Sequence, residues 1–145
     1  MRGNVLGVIS FDTEGADETM IKADSNLLFA ETTDKIISCA YDVHNKLGFG
    51  FSEKVYENAM MIKLSQKQLP SIQQAPINVH FEEQLVGEYF ADIFVDNKIV
   101  VELKAVSLLS KAHEAQLINY LKATNVKVGL LINFGEKLKI VRRVF

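Results

Sequence analysis

The chain has 145 residues, enough for one domain with a substantial core and short for two. Hydrophobic residues make up 48% and charged ones 23%, the balance of an ordinary globular protein rather than a disordered or fibrous one. No run approaches the roughly 18 apolar residues that a membrane-spanning helix needs, and a net charge of −2 is no nucleic-acid signature by itself.

In chain order, the first 31 residues differ from the rest. They carry six acids (Asp12, Glu14, Asp17, Glu18, Asp24, Glu31) against two bases, so a mildly basic remainder hides behind the overall charge. The division read here is an acidic arm over 1–30 and a domain over 31–145. Within the arm, 5–11 reads as an edge strand or as irregular sequence, and 12–24 as a loop or disordered stretch. The apolar stretch 5–11 is short and acids follow it, so no secretory signal is expected. Cys39 is the single cysteine, which excludes an internal disulfide and a thiolate metal cluster. A buried structural thiol in a reducing, cytoplasmic setting is the expectation.

The spacing of Ile36, Ile37, Ala40, Val43, His44 and Leu47 predicts a helix over 33–47, with Thr32 or Thr33 as its cap. His44 lies inside the apolar stripe, where a hydrogen-bonded core histidine is expected. Gly48 and Gly50 end this helix, since glycine tolerates positive φ. Ser52 caps a second helix reaching about residue 66, with Glu53 in its first turn, where the dipole favours an acid. After Pro70 the period changes to two. Residues 75–81 read as a strand, and Glu82, Glu83 and Gln84 turn it back.

The stretch 87–105 reads as two strands folded on each other, with a turn at Asp96 and Asn97. Odd positions (Ile93, Val95, Ile99, Val101, Leu103) are apolar, whereas the even face holds Asp92, Phe94, Val100, Glu102 and Lys104. Only a three-residue loop, with Val95 opposite Ile99, keeps the two faces separate. In that register Asp92 faces Glu102 at about 5 Å between Cβ atoms, with Lys104 two residues on. Two carboxylates so close repel unless a cation lies between them or one is protonated. Mg²⁺ prefers such hard oxygen ligands, and a neighbouring lysine can orient water and balance charge on a phosphate. The alternative is a surface hairpin with a cross-strand charge cluster, Lys104 neutralising one acid.

A third helix is expected over 109–123, with Ser107 or Ser110 near its start. It gathers Leu109, His113, Gln116 and Tyr120 on one side, which implies a polar cleft or a hydrogen-bonded core. Residues 127–133 form a near-continuous apolar strand, buried on both faces. A basic edge strand over 137–145 offers a dimerising surface. The fold class is therefore α/β or α+β, a mixed sheet with helices packed on it. No P-loop, zinc or dinucleotide fingerprint is present.

Taken together, these residues resemble the GxxExxY family of the PD-(D/E)XK nuclease superfamily. Gly50-Phe51-Ser52-Glu53-Lys54-Val55-Tyr56 matches the signature, and Asp92, Glu102-Leu103-Lys104, Gln116 and Tyr120 match the remaining motifs in order. Val43-His44, Tyr89 to Asp92 and Gly129 to Phe134 are also similar, and the likeness covers about 30–145. Phe49 and Phe51-Ser52 stand where proline and leucines are expected. The resemblance implies a restriction-endonuclease-like core. It implies a Mg²⁺ (or Mn²⁺) site held by Asp92, Glu102 and the Leu103 carbonyl, with Glu53 as an additional acid. It further implies that Lys104 positions the attacking water and that Gln116 and Tyr120 complete the site. The function implied is hydrolysis of nucleic acid, DNA first. The alternative is a nuclease-shaped module that binds nucleic acid or protein without turnover.

Overall fold

The computed structural model describes residues 28–145, so the expectations for 1–27, including the 5–11 strand, lie outside the described residues. The element order is α1 (Ala30–Leu47), α2 (Glu53–Gln66), β1 (Ser71–Phe81), β2 (Gln84–Val95), β3 (Ile99–Lys104), α3 (Lys111–Thr124), β4 (Val128–Phe134) and β5 (Leu138–Val144). The strands form one sheet in sequence order, β1-β2-β3-β4-β5. Every neighbouring pair is antiparallel except β3 and β4. A parallel pair needs a long crossover, and α3 supplies it. This is the expected α+β mixed sheet, consistent with a restriction-endonuclease-like fold.

The turn at Asp96 and Asn97 has the predicted register. Val95 pairs with Ile99, the Lys98 N–H donates to the Val95 carbonyl at 3.0 Å, and both turn residues take positive φ. Asp and Asn tolerate that conformation because their short side chains bond locally. The preceding turn is tighter than expected. Phe81 pairs with Gln84, leaving only Glu82 and Glu83 between the strands, and β1 begins at Ser71 rather than at 75.

The two faces of the sheet differ from the sequence reading. One is the expected apolar face, where Ile93, Val95, Ile99, Val101 and Leu103 pack with α1 and α2. The other is a second core rather than an exposed charged surface: Phe94, Val100 and Leu131 pack under Leu117, Tyr120 and Leu121 of α3. The parallel crossover lays a helix across that face, so only its far end stays polar. Gly129 lets α3 approach, since a Cβ there would lie 2.7 Å from Leu117 Cδ1.

The helix ends show similar departures. α1 begins at Ala30, and Thr33 does not cap it: the Thr33 hydroxyl donates to the Phe29 carbonyl at 2.9 Å. Gly48 closes α1 at φ 70 as expected, its N–H bonded to the His44 carbonyl. Ser52 holds the cap position of α2 without a side-chain bond. Ser110 caps α3 in a capping box whose partner is His113, so that histidine stabilises the helix start rather than facing the polar cleft. His44 is a satisfied core histidine, its Nε2 2.8 Å from the Gly135 carbonyl, and Cys39 is fully buried.

Candidate functional site

Strands β2 and β3 part at Asp92. Ladder pairing runs from Val95↔Ile99 to Ile93↔Val101 and stops there. At the next position Asp92 and Glu102 substitute side chains for the ladder. Glu102 Oε1 accepts the Asp92 N–H at 3.0 Å, and Asp92 Oδ2 accepts the Leu103 N–H at 2.8 Å. The crossed bonds hold the two acids side by side.

The other neighbour of Asp92 is also irregular. Gln73↔Ile93 and Ala75↔Ala91 flank Gln74, which takes φ 53 and forms no ladder pair. Burial changes side at this point, Ile93 joining the α1/α2 core and Ala91 the α3 core. Gln74 Nε2 lies 3.4 Å from Asp92 Oδ1 and donates to Glu57 Oε1 at 2.8 Å. A polar row therefore crosses the sheet from Glu57 through Gln74 and Asp92 to Glu102.

Burial and mutual repulsion load this row with electrostatic stress. Glu102 is 4% exposed. Burial first, and then the Asp92 charge, raise its carboxyl well above the usual range against the stabilising Asp92 N–H. Burial also raises Asp92, opposed by the Leu103 N–H. Lys104 is half-buried, and its charge favours the ionised form of both acids. Its ammonium nevertheless makes no ion pair within 4.0 Å among the described residues. The chain leaving Lys104 is fixed by Asn133, whose amide bonds both the Val106 N–H (3.0 Å) and the Val106 carbonyl (2.9 Å).

Helix α3 brings Gln116 and Tyr120 to the same end of the sheet. Gln116 Nε2 donates to the Tyr120 hydroxyl at 3.1 Å. Burial, then the charges of Glu102 and Asp92, push the Tyr120 phenol up to about 12, so it stays neutral at physiological pH. Its ring lies 5.8 Å from that of Tyr89 on β2.

Glu53 is placed elsewhere. It is exposed in the first turn of α2, and no cluster of three His, Cys, Asp or Glu residues suited to a metal ion forms among the described residues. The acid that α2 turns inward is Glu57, one turn later and 3% exposed. It accepts bonds from Lys54 Nζ at 2.7 Å, from Gln73 and from Gln74. The sequence carried a signal for it, since Glu57 precedes Met60 and Leu64 on the buried stripe of the helix. Tyr56 of the signature is structural: its hydroxyl donates to the Gly48 carbonyl at 2.7 Å, and its ring stacks on Phe134 at 4.5 Å.

The donor chemistry fits a small divalent cation. Two adjacent carboxyls, one buried and one half-buried, are hard oxygen ligands, and Mg²⁺ takes one or two of these together with water and substrate phosphate. The comparisons with known proteins agree with the architecture. No curated protein matches the chain. A solved structure described as "Crystal structure of SSO0001" superposes with a TM-score of 0.50 at 17% identity, over 83% of this chain and 61% of that one. This chain thus spans less than two thirds of that protein, and the likeness concerns the fold. The PD-(D/E)XK nuclease superfamily pattern matches residues 30–144, which contain every site residue described above, and the chain belongs to that superfamily.

Proposed function

We propose that this protein is a Mg²⁺- or Mn²⁺-dependent nuclease of the GxxExxY type, hydrolysing phosphodiester bonds in nucleic acid and foremost in DNA. The observation that carries the reading is the Asp92–Glu102 pair, crossed by backbone bonds, with Glu102 buried, Asp92 half-buried and burial raising both carboxyls. Asp92 and Glu102 would hold the ion. The Leu103 carbonyl would join them, because a strand residue directs its N–H and C=O the same way, and the Leu103 N–H already points at Asp92. When bound, the cation supplies Lewis-acid charge to the scissile phosphate and to water.

The chain's own residues do the rest. Lys104, in electrostatic range of both acids and without an ion pair among the described residues, orients the attacking water and balances charge on the phosphate. Tyr120 remains protonated and donates to a phosphate oxygen, its hydroxyl aimed by Gln116. Glu57 acts through Gln74 as a positioning acid for Asp92. A second reading, a nuclease-shaped binding module without turnover, draws on the net charge of −2 and on the lack, among the described residues, of a third carboxylate at the pair.

Plasmid nicking in Mg²⁺ or Mn²⁺ separates the two. Glu102→Ala should lose metal binding and cleavage together. Lys104→Ala should keep the metal and lose roughly 100-fold or more in rate. Cleavage that survives both changes contradicts the assignment, and wild-type metal binding without cutting supports the module.

A further inference from the structure

A cavity of about 650 Å³ opens between α3 and the β1–β2 hairpin. Its size is that of pockets that take small organic groups. Gln116 and Tyr120 form the wall shared with the candidate catalytic site, and Tyr89, Asn119 and Lys122 line the remainder. Tyr89 is 49% exposed although its ring lies 5.8 Å from that of Tyr120 at a tilt of 46°, which leaves it accessible for stacking. Val79 and three alanines, Ala112, Ala115 and Ala123, leave the floor apolar.

We infer that this cavity receives an unpaired nucleobase of the substrate strand, next to the phosphate at the carboxylate row, so that the preferred substrates carry single-stranded or flapped nucleotides. The inference rests on the nuclease reading above. Three observations support it. An aromatic face with amide groups beside it is the chemistry that holds a splayed base, through stacking and hydrogen bonds to the base edge. The cavity shares Gln116 and Tyr120 with the candidate site, so a base held here can belong to a nucleotide adjoining the phosphate at Asp92 and Glu102. A base still paired in a duplex cannot turn its edge toward Asn119 and Gln116 without leaving its stack.

The test uses the full chain in EDTA, with a fluorescent duplex carrying a three-nucleotide 3′ flap as probe and a blunt duplex of equal length as control. Wild type should bind the flapped probe more tightly. Tyr89→Ala and Ala115→Trp, the second filling the cavity from an exposed helix position, should each lose roughly tenfold in affinity for the flap and under twofold for the blunt duplex. Tyr89→Phe, which keeps the ring, should retain the preference. Equal affinity of wild type for the two probes, or a flap preference intact in Ala115→Trp, overturns the base pocket. Neither result touches the nuclease reading, which is scored separately by Mn²⁺ binding and plasmid nicking in the same variants.

Discussion

Replacing Glu102 by glutamine should stabilise the metal-free protein, and by an amount that depends on pH. Glutamine mimics the protonated acid: its carbonyl can still accept the Asp92 N–H, while its amide donates toward the Asp92 carboxylate. Two carboxylates about 4 Å apart repel by roughly 4 kcal/mol at an effective dielectric of 20. Losing the charge also weakens the bond from the Asp92 N–H and the attraction of Lys104, which returns about 1–3 kcal/mol. A net stabilisation of roughly 1–3 kcal/mol is expected at pH 8. Because folding raises the Glu102 carboxyl, the folded state keeps its proton longer than the unfolded chain does. Wild-type stability must therefore fall as pH climbs above the unfolded value of 4.5, while Glu102→Gln escapes that part of the loss. Below pH 4.5 the two proteins should agree within about 0.5 kcal/mol. Urea denaturation in EDTA from pH 4 to pH 8 measures the difference. A glutamine variant that is less stable than wild type at pH 8, or a gap that does not grow with pH, would refute the mutual repulsion of the pair.

Other substitutions probe the scaffold. Tyr56→Phe strands the Gly48 carbonyl and the Phe51 N–H, and should cost about 1–2 kcal/mol in urea denaturation while leaving Mn²⁺ affinity unchanged. Gly129→Ala drives a methyl group into Leu117 and Leu121, so α3 must shift; about 1–3 kcal/mol of stability should be lost, together with cleavage as Tyr120 and Gln116 move. Glu57→Gln should weaken Mn²⁺ binding or cleavage through Gln74, whereas Glu53→Gln, at an exposed position, should leave both near wild type.

The hairpin register was legible because only one loop length keeps Ile93, Val95 and Leu103 on a common face, and a one-residue slip would bury charge. The double burial of β4 was legible too, from five apolar residues interrupted only by Gly129 and Asn133. The character of the even face was not. Phe94 and Val100 read as companions of the acids, but whether they meet water or a helix depends on where the crossover lands, which periodicity does not encode. The burial of Glu57 on α2, one turn after the expected Glu53, escaped for a different reason. Both Glu53 and Glu57 lie in the N-terminal half of α2; the GxxExxY resemblance implies the first, whereas the apolar stripe contains the second. Gln74 escaped altogether, since a glutamine adopting φ 53 inside a strand follows from the parting of the sheet around Asp92 rather than from local preference. Glu102 itself was legible as an acid facing Asp92. Its depth of burial was not.

Calorimetric titration of Mn²⁺ into wild type, Asp92→Asn and Glu102→Gln at pH 7.5 bears most directly on whether one cation is shared by the two acids. Wild type should show a site that each substitution weakens by at least about tenfold, because each removes one of the two charged oxygen ligands. Mn²⁺ binding that is absent from wild type, or unchanged in both variants, would contradict a metal site at this row.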